Sequence, residues 1–167
     1  MSSEIHMAFA HPQERSEATT TVSPLDRISL RDHIVDVEIG AFQAERGIAQ
    51  IFAHQMQYLR DKVHLLDLAS GNFADLFATE DTDKALVIFE ARRYSRNAPL
   101  RAGEAKAAGI PVTLITDPYC DWGHKVAGEI FVVPTSFNLF WESTAQMTSL
   151  ANLLVNGVFI ELGPQVE

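Results

Sequence analysis

The chain has 167 residues, 47% of them hydrophobic and 21% charged, the size and make-up of one globular domain with a core of its own. Its 22 acidic against 13 basic residues leave a formal charge of −9, which argues against a general nucleic-acid binder, because neutralising phosphates needs a clustered basic surface. A single cysteine, Cys120, excludes an internal disulfide and a Cys-rich zinc site, and no apolar run is long enough to span a bilayer.

The N-terminal stretch carries Glu4 and only "MAFA" as apolar sequence, so it does not read as a signal peptide; a reducing cytoplasm is the expected setting. Residues 1–26 are polar, rich in Ser and Thr and without periodicity, and are expected to form a flexible tail. "HIVDVEI", His33 to Ile39, predicts a first strand closed by Gly40. "AERGIAQIFAHQMQYL" has helical spacing, with Ile48, Ile51, Phe52, Met56 and Leu59 on one face. "KVHLLDL" predicts a second strand and "GNFADLFA" a short helix. "ALVIFE", from Ala85, is the continuous apolar run of a strand covered on both faces.

"APLRAGEAKAAG" predicts the next helix, with Asn97 as its N-cap, Pro99 in the first turn, Gly109 at the end and Pro111 beyond. Its small residues allow close packing on a sheet. "PVTLIT" is a fourth strand, stopped by Asp117 and Pro118, and "EIFVVP" a fifth. A long final helix is expected from Phe140, with "SLANLLVNGVFIEL" apolar on more than one face. Strand and helix in alternation mean a three-layer α/β fold, a parallel five-stranded sheet with helices on both faces.

In such a sheet the ligand crevice lies beyond the carboxyl ends of the strands. The candidates are therefore Gly40 to Gln43, Glu90 to Asn97, Thr116 to Tyr119, and the Thr135, Ser136 and Asn138 loop. The third loop, within "ALVIFEARRYSRNAPL", carries the strongest signal. Arg92 and Arg93 offer fork-shaped donors for phosphate or carboxylate, Ser95 a hydroxyl, and the following helix start free amides. The plainer alternative is that the arginines pair with Glu90 or Asp117 or lie in solvent. No GxGxxG, GxxxxGK[ST] or GxSxG motif is present. Cys120 and His124 lack further ligands, and His33, His54 and His64 fall on separate elements, so neither a metal nor a cofactor is expected. Glu142, placed at the opening of the last helix, reads first as a carboxylate favoured by the helix dipole and second as an acid/base group.

From Ala85, "ALVIFEARRYSRNAPLRAGEAKAAGIPVTLITDPYCDWGHKVAGEIFVVPT" resembles the sugar isomerase (SIS) domain, and within it the effector domain of RpiR/MurR-type transcriptional regulators. The likeness extends over about Arg27 to Gly163, which sets the expected domain at 27–163 with a tail at 164–167. It implies a flavodoxin-like sheet that binds a phosphorylated sugar and self-associates, here through the final helix. The family's third-loop pattern, roughly S-x-S-G-x-T, falls on Glu90 to Ser95, where Ser95 alone keeps a Ser or Thr hydroxyl. "RRY" is similar to RpiR-type members and makes Arg93 and Ser95 the preferred contacts. In the first loop Gln43 stands near the family's Ser position, with Glu45 close by. The implied contact set is Gly40, Gln43, Arg92, Arg93, Ser95, Asn97, Thr116 and Asp117, with no catalytic residue. The alternatives are an aldose–ketose isomerase using Glu142 and a degenerate relative acting through oligomerisation. The regulators' helix-turn-helix domain has no counterpart in the short tail, so no direct DNA binding is expected of this chain.

Overall fold

A computed structural model describes residues 36–66, 72–77 and 83–162. The expected tails, the start of the domain near Arg27 and the first residues of the first predicted strand lie outside them. Five strands, β1 (Asp36–Ala41), β2 (Val63–Leu66), β3 (Lys84–Phe89), β4 (Val112–Thr116) and β5 (Glu129–Val132), form one sheet in the order β2-β1-β3-β4-β5. All four pairings are parallel. Four helices are described: α1 (Arg46–Gln57), α2 (Asn97–Ala107), α3 (Gly123–Val126) and α4 (Ala145–Leu162), with 3-10 turns at Gln43–Glu45 and Asn72–Phe77. This is the expected α/β sheet with helices on both faces.

The strands are where continuous apolar runs placed them, and β3 is buried at every position. One face of the sheet packs against α1 and α4, where Ile39, Phe52, Met56, Phe89 and Met147 are almost fully buried. Phe52 meets Phe89 edge to face, ring centroids 5.4 Å apart. The other face packs Leu86, Ile88 and Leu114 against α2 and the Asn72–Phe77 turn. There Ala98, Ala102 and Ala105 bring the α2 backbone close to the strands.

Several boundaries differ from expectation. Gly40, predicted to close β1, lies inside it, opposite Leu66 and Ile88. Ile51 is 53% exposed, and the buried stripe of α1 runs instead through Ile48, Ala49, Phe52, Ala53 and Met56. Asn97 is the first residue of α2 and Arg96 its cap position; the Asn97 N–H is met by Ser95 Oγ at 3.2 Å. Gly109 does end α2: at φ +78° it lets its own N–H reach Lys106 O and that of Ile110 reach Ala105 O. The short α3 was not anticipated. Its Gly123 passes so close to β4 that a Cβ there would sit 2.7 Å from Leu114 Cδ2.

The largest correction concerns the last helix, which begins at Ala145 and not at Phe140. Ser143 Oγ accepts from the Ala145 N–H at 3.4 Å and donates to Gln146 Oε1 at 3.2 Å, a start signal that reads S-x-x-Q in the sequence. Residues 137–142 are therefore a loop. Glu142 is no first-turn carboxylate but part of that loop.

Candidate functional site

Parallel strands deliver their carboxyl ends to one edge, and with this strand order the direction of winding changes between β1 and β3. The crevice expected there is bounded by the loops after those two strands. They are tied together, because Gln43 Nε2 donates to the Arg93 carbonyl at 3.1 Å. Both residues are left-handed, Gln43 at φ 53° and Arg93 at φ 74°. That conformation costs a non-glycine residue about 1–2 kcal/mol, so the surroundings hold both in place.

Asp117, just past β4 and 1% exposed, pins the β3 loop from beneath. Its Oδ2 accepts from the Arg92 N–H at 2.6 Å; its Oδ1 accepts from the Tyr119 N–H at 2.9 Å and from the Tyr94 hydroxyl. Burial, and then this bond to a carboxylate, pushes the Tyr94 hydroxyl's pKa up from its ordinary value.

Glu90 is also 1% exposed. It continues β3 beyond Phe89, which lies between Ala41 and Ile115, so the neighbouring strands wall it in. Its Oε1 accepts from the Ser95 N–H, and its Oε2 is buried without a protein partner. Burial pushes its carboxyl up to about 8; the Ser95 bond works the other way, and the neighbouring Glu45 and Asp117 add to the rise. Glu45 is raised as well, chiefly by burial, with Asp117 contributing and its own backbone N–H opposing.

These bonds correct one expectation. The amides at the start of α2 were expected to be free for an anion, but Asn97 N–H is met by Ser95 Oγ and Ala98 N–H by the Ser95 carbonyl; in the loop before them, Arg92 N–H goes to Asp117 and Ser95 N–H to Glu90.

The two guanidinium groups pair with neither Glu90 nor Asp117; both arginines are exposed, which agrees with the solvent half of the plainer alternative. Arg92 lies over the Tyr119 ring at 4.7 Å, with its Nη1 3.9 Å from Glu142 Oε1. Arg93 lies over the Trp141 ring at 4.8 Å. A contact as long as the Arg92–Glu142 one, half in solvent, stabilises little. Both arginines thus rest on aromatic faces at the rim of a small surface groove. Gln43, Ala44, Glu45, Trp141, Glu142 and Thr144 complete its lining.

Of the expected contacts, the structure brings Gln43, Arg92 and Arg93 together in the groove, with Glu142 beside them. Ser95, Thr116 and Asp117 stand behind the loop: Thr116 is buried in β4, and the oxygens of Ser95 and Asp117 meet backbone donors. Gly40 is within its strand, and Asn97 is exposed on α2 without lining the groove. Sequence reasoning did not place Trp141 here; the Ser143–Gln146 signal, by ending the loop, would have pointed to it. Cys120 and His124 form no metal cluster, and among the described residues no group of three His, Cys, Asp or Glu side chains is placed to hold an ion. No helix of the described residues is long and apolar enough to cross a membrane.

No protein-family model and no curated protein matches the chain by sequence. Solved structures do match. The sugar isomerase domain of the RpiR transcription factor from Sphaerobacter thermophilus superposes with a TM-score of 0.74 at 17% identity, over 85% of this chain and 78% of that one. NanR of Vibrio vulnificus, complexed with ManNAc-6P, gives 0.64 at 18% identity over 86% of this chain, which spans 55% of NanR. MJ1247 of Methanococcus jannaschii, whose structure was taken to infer a 3-hexulose-6-phosphate isomerase, gives 0.55 at 16% identity, with 83% and 75% covered. The fold is that of the sugar isomerase domain.

Proposed function

We propose that this chain is a phosphosugar-binding sugar isomerase domain, akin to the effector-sensing part of an RpiR-type regulator, and that it binds without transforming its ligand. One observation carries the reading: Arg92 and Arg93 stand at the sheet's switch point, braced on aromatic rings and not consumed by the buried carboxylates below them. Arginine forks meet phosphate oxygens in two parallel bonds, and the exposed Trp141 ring offers an apolar wall for the sugar. The NanR structure, which holds a sugar phosphate in the same fold, supports the ligand class. Gln43, Arg92 and Arg93 are the proposed contacts.

Self-association belongs to the same proposal. Leu153, Phe159 and Ile160 remain 44–66% exposed on α4, whose other face is buried against α1. Light scattering on the unliganded protein decides this part: a monomer mass at all concentrations removes it.

Thermal unfolding against sugar phosphates and their unphosphorylated parents tests the binding. A ligand confined to the native state stabilises it by about 2.7 kcal/mol at a hundredfold excess over its dissociation constant. A shift is expected with phosphates alone. A flat response to every sugar phosphate would sink the proposal.

A second reading, aldose–ketose isomerisation, rests on the Glu142 carboxylate in the same groove. Incorporation of solvent deuterium into a bound sugar phosphate would establish it, and binding without exchange would dismiss it.

A further inference from the structure

Glu90 opens the loop that carries the two arginines, and its side chain joins both loops that bound the groove. Its Oε1 accepts from the Ser95 N–H, which closes the β3 loop around Arg92 and Arg93. The Phe42 N–H of the β1 loop, next to Gln43, also favours its charged form. Gln43 and Arg93 are bonded to each other across the same junction. Yet the side chain is 1% exposed and its Oε2 has no hydrogen-bond partner, so a charge there gains nothing from solvent.

The charged groups around Glu90 come from several elements. The turn after β1 brings Glu45 and the end of β4 brings Asp117, two buried carboxyls that raise the cost of a third charge. Glu142, in the loop before α4, is turned to Arg92. The cations are on Glu90's own loop: Arg92 and Arg93 are exposed and turned onto Tyr119 and Trp141, and Arg96, at the cap of α2, is exposed as well. An anion held by Arg92 and Arg93 cancels the charge of two of these cations and adds negative charge of its own.

Resting on the phosphosugar reading above, we infer that Glu90 makes the groove proton-sensitive: the protein binds a phosphate with Glu90 neutral, and takes up a proton where Glu90 was charged beforehand. Burial, with the two neighbouring carboxyls, puts Glu90 at about 8 in the unliganded protein, and a bound dianion lifts it further. The liganded protein then holds more protons than the free one. Affinity therefore falls as pH rises past that value and is level well below it.

The test is calorimetric titration of the 6-phosphates of glucose, mannose, galactose and N-acetylmannosamine into wild type and Glu90→Gln. It is run at pH 7.5, 8.5 and 9.5, each in two buffers of different ionisation enthalpy. A phosphate monoester, with a second pKa of about 6, is already dianionic there, so the proton counted belongs to the protein. For whichever sugar phosphate binds, wild type is expected to take up about half a proton at pH 8.5 and to lose about fivefold in affinity from pH 7.5 to 9.5, the values of a one-unit shift. Glu90→Gln keeps an oxygen for the Ser95 N–H, cannot ionise, and is expected to show neither effect. The wild-type proton count stands whether or not the variant folds. Level affinity without proton uptake in wild type overturns the inference and leaves the phosphosugar reading standing. The same uptake in Glu90→Gln overturns the assignment to Glu90. Binding of none of the four at pH 7.5 overturns both readings.

Discussion

Asp117→Ala is expected to cost about 3 kcal/mol of stability. Its carboxylate gathers the Arg92 and Tyr119 N–H groups and the Tyr94 hydroxyl at 1% exposure. Hydrogen bonds to a charged group contribute about 1.5–3 kcal/mol each, and donors left buried without a partner add to the loss. The sum is not additive, and removing Asp117 also relieves its repulsion of Glu45 and Glu90, which holds the net effect near the value of one or two such bonds. For a chain of this size that is a fall in Tm of roughly 6–12 °C. Asp117→Asn separates the contributions. An amide oxygen at the Oδ1 position still serves Tyr94 and Tyr119 but leaves Arg92 N–H unmet, so Asn is expected to fall between wild type and Ala. If Ala melts within about 1 °C of wild type, the β3 loop is not pinned by this carboxylate.

The second large effect is a pH dependence set by Glu90. Its folded-state pKa is raised from 4.5 to about 8, chiefly by burial. Between those values the unfolded chain has released the proton and the folded chain still holds it. Unfolding then releases a proton, so stability falls as pH rises through that window, by up to about 1.4 kcal/mol per pH unit. Below about 4.5 the contribution is complete, and above about 8 it is lost. Glu45, raised in the same direction, adds to the slope. Glu90→Gln keeps an oxygen for the Ser95 N–H and cannot ionise. Chemical denaturation of both proteins from pH 5 to 9 is expected to show Gln gaining on wild type as pH rises and standing above it at pH 9. A difference that does not change with pH would mean that Glu90 ionises normally in the fold.

The parts of this molecule that were legible in its sequence are those decided locally. "ALVIFE" and "PVTLIT" are buried on both faces and read as such, because a continuous apolar run has few other uses. Gly109 announced the end of α2, since few other residues adopt its backbone angle. The crevice followed from the rule for parallel sheets, and with it Arg92 and Arg93. What escaped depends on neighbours far away in the chain. Glu90 and Asp117 read in the sequence as possible partners of the arginines, and Asp117 as a ligand contact; instead they are buried where β1, β3 and β4 end at the same level and enclose them. Once buried, they take up the Arg92 and Ser95 N–H groups of the loop, while Ser95 takes those at the start of α2. Phe140 and Trp141 misled in the opposite way: they were read as opening the last helix, whereas Phe140 is 96% exposed in a loop. Trp141, next to it, becomes the rest for Arg93.

The account holds that side chains of the β3 loop, not its backbone amides, hold the ligand's phosphate. The most direct measurement is a calorimetric titration of wild type and Arg93→Ala with the sugar phosphate that most raises the melting temperature. Arg93 is exposed, and its loss is expected to leave stability within about 0.5 kcal/mol while weakening the ligand about 10–100-fold, the worth of a charge-assisted arginine contact. Affinity undiminished in Arg93→Ala, with the protein still folded, would contradict it.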